Sequence, residues 1–161
     1  VNVKLIPVDQ NGLVELQQLA IKIWNQHYPE IISQEQIDFM LQKNYNPEAL
    51  LQQMQEGQQF FFIVSENQKI GFFSMSIKED GSYFIHKFYI DKTQHRQGIG
   101  SLAFARALEI FPDARIIRLQ VNRMNYKPIN FYFKLGFRIE YAADFDIGDG
   151  YFMNDFVMVR G

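Results

Sequence analysis

Between Tyr83 and Ser101 the chain passes from a strand-like run through Asp91-Lys92-Thr93 into His95-Arg96-Gln97-Gly98-Ile99-Gly100-Ser101, and then into helical spacing. Few arrangements suit such a passage. Glycines between a strand and a helix let the backbone approach a bound group closely. The amides of a helix start, which lack a helical acceptor, favour an anion such as a pyrophosphate. The segment predicts a strand, loop and helix around a phosphate-bearing ligand, or a tight turn and nothing more.

The flanking sequence places this unit in a mixed α/β chain. Val3 to Pro7 alternates as a strand, and Leu13, Leu16, Ala20, Ile23 and His27 then fall on one helical face. Ser33-Gln34-Glu35-Gln36 has the form of a capping box ahead of a helix carrying Ile37, Met40 and Leu41. Asn46-Pro47 opens another helix, and Gly57 ends it. Phe60 to Ser65, Ile70 to Ile77 and Tyr83 to Ile90 are rich in aromatic and β-branched residues, which predicts an antiparallel meander. A helix over 98 to 110 and a strand from Ile116 to Val121 complete a parallel crossover. Pro128 opens a last helix that Gly136 ends. Phe137 to Ala143 and Tyr151 to Arg160 follow as a closing pair of strands, with a loop at Asp144, Asp146, Gly148, Asp149 and Gly150. That makes about seven strands with helices on both faces, and one domain over 1 to 161.

Composition excludes several classes. With 161 residues, 47% of them hydrophobic, the chain can bury a core unaided. A net charge of -2 offers no field for nucleic acid. No cysteine is present, so thiolate metal sites, disulfides and a cysteine nucleophile are excluded; no metal is expected and a cytoplasmic setting is the default. Apolar runs such as Phe60 to Val64 fall far short of the ~18 residues that span a membrane.

Gly98 and Gly100 admit three readings. A nucleotide-triphosphatase loop needs Lys then Ser or Thr after its last glycine, and Ser101-Leu102 does not supply that. Gly98 to Ala103 matches the dinucleotide pattern formally, but Gln120, Val121 and Asn122 stand where that fold wants an acid. The third is a resemblance. His95 to Ser101 is similar to the acetyl-coenzyme A loop of the general-control-related N-acetyltransferase (GNAT) superfamily, with His95 where the pattern has Gln or Arg and Arg96 beside it as a cation. Leu119 to Asn125, followed by Ile129-Asn130-Phe131-Tyr132-Phe133-Lys134-Leu135-Gly136-Phe137, resembles that superfamily's second half. The order of elements extends the likeness over essentially the whole chain, towards bacterial small-molecule amine acetyltransferases.

The resemblance implies acetyl-coenzyme A as cofactor and direct acyl transfer to a primary amine in a ternary complex. It implies that Phe88, Tyr89 and Ile90 pair with the pantetheine arm. His95, Arg96, Gln97, Gly98, Ile99, Gly100 and Ser101 would hold the diphosphate, and Asn122, Asn125, Tyr132 and Lys134 would meet the cofactor. Tyr132 is the implied general acid. His86, nine residues before His95, sits at the spacing of a catalytic histidine in arylalkylamine acetyltransferases. A base matters more than the acid: an alkylammonium of pKa ~10.4 is about one part in a thousand neutral at pH 7, a deficit of roughly 4 kcal/mol. Tyr28, Glu30, Asp146 and Asp155 are the candidate acceptor residues, their carboxylates suited to a cationic polyamine or diamine. An arylalkylamine is the other small-molecule reading, and Lys87-Phe88-Tyr89-Ile90 echoes a run in bacterial polyamine acetyltransferases. The resemblance admits a homodimer. A non-catalytic acyl-CoA module, acetylation of a protein amine, and hydride transfer remain the alternatives.

Overall fold

The computed structural model of the protein describes residues 2–95 and 98–161. Seven strands form one mixed sheet in the order β1-β2-β3-β4-β5-β7-β6. In chain order the elements are β1 (Val3–Pro7), α1 (Leu13–His27), α2 (Gln34–Tyr45), α3 (Pro47–Gln55), β2 (Gln59–Ser65), β3 (Gln68–Ile77) and β4 (Tyr83–Ile90). Then come α4 (Ile99–Ile110), β5 (Ile117–Asn122), α5 (Tyr126–Lys134), β6 (Arg138–Gly148) and β7 (Tyr151–Arg160). The expected mixed α/β class and the antiparallel closing hairpin are both present. Among the described residues no helix is long and apolar enough to cross a membrane.

Local chemistry sets the helix ends. The Ser33 hydroxyl accepts the Gln36 N–H at 3.1 Å, and Asn46 Oδ1 accepts the Ala49 N–H at 2.8 Å. Asn46 both ends α2 and begins α3, at φ -69 and ψ 153. Pro47 imposes that extended conformation on the residue before it.

The chain divides into two compact units, residues 1–76 with 86–112 and residues 77–85 with 113–161. In the first, β1 to β3 pair antiparallel, and Phe60 to Ile63 are buried without interruption. A strand covered on both faces reads this way. Phe72 packs on Tyr45 of α2, whereas its neighbour Phe73 packs on Phe61, which meets Phe111 just past α4 at 90°. Successive residues of a strand point to opposite faces, so helices cover both faces of this part of the sheet.

In the second unit, Tyr83–Ile85 pair parallel with Ile117–Leu119, and β7 lies between β5 and β6. Arg160 Nε donates to the Leu135 carbonyl at 2.8 Å, tying the end of β7 to the end of α5. The hairpin turns on Asp149 and Gly150, at φ 57 and φ 81, the pairing of positive angles that a two-residue turn between twisted strands requires. The loop expected from Asp144 onwards is strand as far as Gly148, with β6 running through Asp144 and Asp146, and the loop shrinks to two residues. Aspartate is a poor strand former, but both acids are exposed on an outer strand, so pairing with β7 decides the conformation at little cost.

Candidate functional site

The parallel pairing of β4 with β5 covers only three residues among those described, Tyr83 to Ile85. β4 itself runs on to Ile90. Side chains alternate along this stretch. Lys87 and Tyr89 face α1, α2 and α3: Lys87 Nζ donates to Gln53 Oε1 at 2.6 Å, and the Tyr89 and Tyr28 hydroxyls lie 3.0 Å apart. His86 and Phe88 face the other way. His86 Nε2 lies 2.7 Å from Ser76 Oγ, and Phe88 stands edge-on to Phe73. Within this unit the candidate base His86 and the candidate acceptor residue Tyr28 therefore lie on opposite faces of β4. Glu30, two residues past Tyr28, is exposed.

The end of β4 is held by a polar cluster. His27 Nε2 and His95 Nε2 lie 3.1 and 2.7 Å from the Ile90 carbonyl, so both of its lone pairs are engaged, and the two rings are 5.1 Å apart. Burial lowers the His27 pKa, and His95 lowers it further. Asp91 accepts from Lys22, Gln26 and Thr93. Burial pushes its carboxyl up, but these hydrogen bonds outweigh that and hold it well below the usual carboxylate range. Asp91 thus fixes α1 to the turn that leads out of β4. His95 turns back onto Ile90 and His27, a placement the glycine pattern alone did not indicate. Arg96 and Gln97 lie outside the described residues.

Gly98 adopts φ 70 immediately before α4. The first helical bond there runs from the Leu102 N–H to the Gly98 carbonyl at 3.0 Å, and no side chain among the described residues caps the helix. The amides from Gly98 to Ser101 therefore have no acceptor within α4, which is what a diphosphate would use.

The second unit holds the remaining candidates. Tyr132 is 7% exposed and packed against Phe131 and Phe137; burial raises its phenol well above the ordinary value. Asn122 is buried, and its Oδ1 accepts the Met124 N–H at 2.9 Å. The Asn125 N–H donates to the Asn122 carbonyl at 2.9 Å, and Lys134 is exposed in the last turn of α5. Asp146 is exposed and its Oδ1 accepts the Gly148 N–H at 2.9 Å, whereas Asp155 is buried.

The family model described as the acetyltransferase (GNAT) family matches residues 15–137. The chain belongs to that family. It is an acetyl-coenzyme A dependent N-acetyltransferase. A relative, the spermidine N(1)-acetyltransferase of Thermoplasma acidophilum, is 27% identical over 144 residues, spanning 85% of this chain and 87% of its own. The crystal structure of PaiA N-acetyltransferase from Thermoplasma acidophilum, in complex with coenzyme A, superimposes with a TM-score of 0.80 at 23% identity, covering 99% of each chain. Aminoglycoside acetyltransferase AAC(6')-Ib, also with coenzyme A, gives 0.69 at 16% identity, over 99% of this chain and 94% of its own. At these identities the two structures establish a shared fold.

Two residues of this acetyltransferase escaped the sequence reading. Gly71 lies inside β3, where a Cβ would sit 2.2 Å from the Tyr89 carbonyl oxygen. A glycine within a strand signals such close approach, and that signal was present between Ile70 and Phe72. Ser76, the partner of His86, carried no comparable signal.

Proposed function

We propose that this enzyme acetylates a small primary amine, a polyamine or diamine before an arylalkylamine, by direct attack on the bound thioester, with the whole chain acting as one catalytic domain. The observation that carries the cofactor half is the start of α4, where Gly98 adopts φ 70 and the amides up to Ser101 have no acceptor within the helix. Backbone groups of Phe88, Tyr89 and Ile90 bind the pantetheine arm as an added strand would, and Gly98 to Ser101 bind the diphosphate. Acetyl-coenzyme A supplies the acetyl thioester. Support for a cationic amine comes from the spermidine and aminoglycoside activities named for the relatives, and from the acids of the last hairpin.

Calorimetry with coenzyme A tests the cofactor half. Wild-type protein is expected to bind, and Gly98→Val to bind at least tenfold more weakly, because a β-branched residue at φ 70 costs about 1–2 kcal/mol and turns the amides away. No uptake by folded wild-type protein at millimolar coenzyme A would end this reading.

Tyr132 keeps its proton throughout the neutral range, as a donor to the leaving sulfur must. A phenol that binds its proton more tightly than a thiolate does, at ~8.5, acts by donating a hydrogen bond. Tyr132→Phe is expected to lower kcat about tenfold with cofactor affinity unchanged. Unaltered turnover would reduce the tyrosine to packing.

A further inference from the structure

Asp155 stands in β7 opposite Asn122 of β5 and Ala143 of β6, and is 5% exposed. Its Oδ1 has no hydrogen-bond partner among the described residues. A buried carboxylate without a counter-charge is among the costliest groups a fold can hold. Asn122, its pair in β5, has its Oδ1 engaged by the Met124 N–H, and Arg123, the cation that acts on Asp155 through space, is ion-paired with Asp144. Burial pushes the Asp155 carboxyl up to about 6, with Arg123 pulling it down. Met153, Val157 and Val159, at alternate positions of the same strand, are buried and apolar, so packing gives no reason for an acid between them.

We infer that Asp155 first pairs with the acceptor's ammonium group and then takes its proton, which makes it the general base of the reaction. The inference rests on the amine acetyltransferase reading above and supplies the group that reading lacks. His86 is the competing candidate, with its Nε2 already against Ser76. The balance is simple. An acceptor R–NH3+ gives one proton to the carboxylate, and the freed nitrogen pair forms the C–N bond as the C–S bond breaks. The second nitrogen proton ends on sulfur, and Asp155 returns its own to water. Acetylamide, thiol and one H+ result. Acceptors with an alkylammonium depend on this base, whereas an arylamine that is neutral at pH 7 does not.

Asp155→Asn, nearly identical in shape, tests it. With spermidine as acceptor, kcat/KM is expected to fall by about 100-fold, with coenzyme A affinity unchanged by calorimetry and with arylamine turnover much less affected. The wild-type profile of log kcat/KM should decline with unit slope below pH about 6, and this limb should be absent from the residual activity of the variant. Two readouts need no turnover. The Asp155 carboxyl carbon in labelled, cofactor-free wild-type protein should titrate near 6, and the variant should melt above wild type at neutral pH because an amide needs no counter-ion. Titration in the ordinary carboxylate range, undiminished spermidine turnover, or an acidic limb that moves in His86→Gln instead would each overturn the assignment. If the wild-type protein bound coenzyme A yet acetylated no amine, the amine reading itself would fail, and the carboxyl titration would still decide the state of Asp155.

Discussion

Replacing Gly71 by alanine is expected to destabilise the protein by roughly 2–3 kcal/mol and to lower kcat/KM at least tenfold. An added Cβ would stand 2.2 Å from the Tyr89 carbonyl oxygen and 3.1 Å from Ile90 Cα, and both are backbone atoms that no rotamer change can move aside. β3 and β4 must separate at that point. The displacement falls on Tyr89 and Ile90, and the Asp91 N–H, which donates to the Ile70 carbonyl at 2.7 Å, would be pulled with them. These residues belong to the stretch proposed to bind the pantetheine arm, so a shift of a few tenths of an ångström displaces that backbone. Urea denaturation and steady-state kinetics on the same preparation check the pair of effects. Wild-type stability with wild-type kcat/KM would show that the two strands are not held at this spacing.

The second large effect is a pH dependence of stability. Lys87 is 7% exposed, held by Gln53 Oε1 at 2.6 Å and Gln58 Oε1 at 3.1 Å, with its ammonium over the rings of Tyr45 and Phe60. No carboxylate is paired with it among the described residues, and burial lowers its pKa from 10.5 to about 7. The folded state therefore binds this proton more weakly than the unfolded chain does. The penalty is fully present below pH 7 and fades as the pH rises towards 10.5, so this residue makes stability increase with pH across that window. Wild-type protein should gain roughly 2 kcal/mol from this source between about pH 7 and pH 9. Lys87→Met, similar in volume and unable to titrate, should lose that gain. Parallel pH slopes for the two proteins in urea denaturation would show that the lysine is not desolvated.

The candidate site was legible in part before any fold was known, because the signals behind its residues are local. Gly98 ahead of a helix, Tyr132 three residues before Leu135-Gly136, and the alternation that places His86 with Phe88 depend on neighbours within one turn or one strand. The reading went astray at Asp144 to Gly148, where local propensity argued for a loop and a partner strand imposed the ladder. It also could not foresee that His95 would turn back onto Ile90 and His27, because α1 lies more than sixty residues earlier in the chain.

Amino-acid order alone determined what short-range sterics and capping decide. The helix starts at Ser33 and Asn46 and the anion-ready amides after Gly98 belong here, as does membership in the acetyltransferase family. Tertiary structure decided what desolvation and close packing create. Only the folded chain buries Lys87 beside Gln53, leaves Asp155 Oδ1 without a hydrogen-bond partner among the described residues, and brings Gly71 against Tyr89. The environment that changes an ionisable group is made by strands and helices distant in sequence, so no pattern around the residue itself announces it.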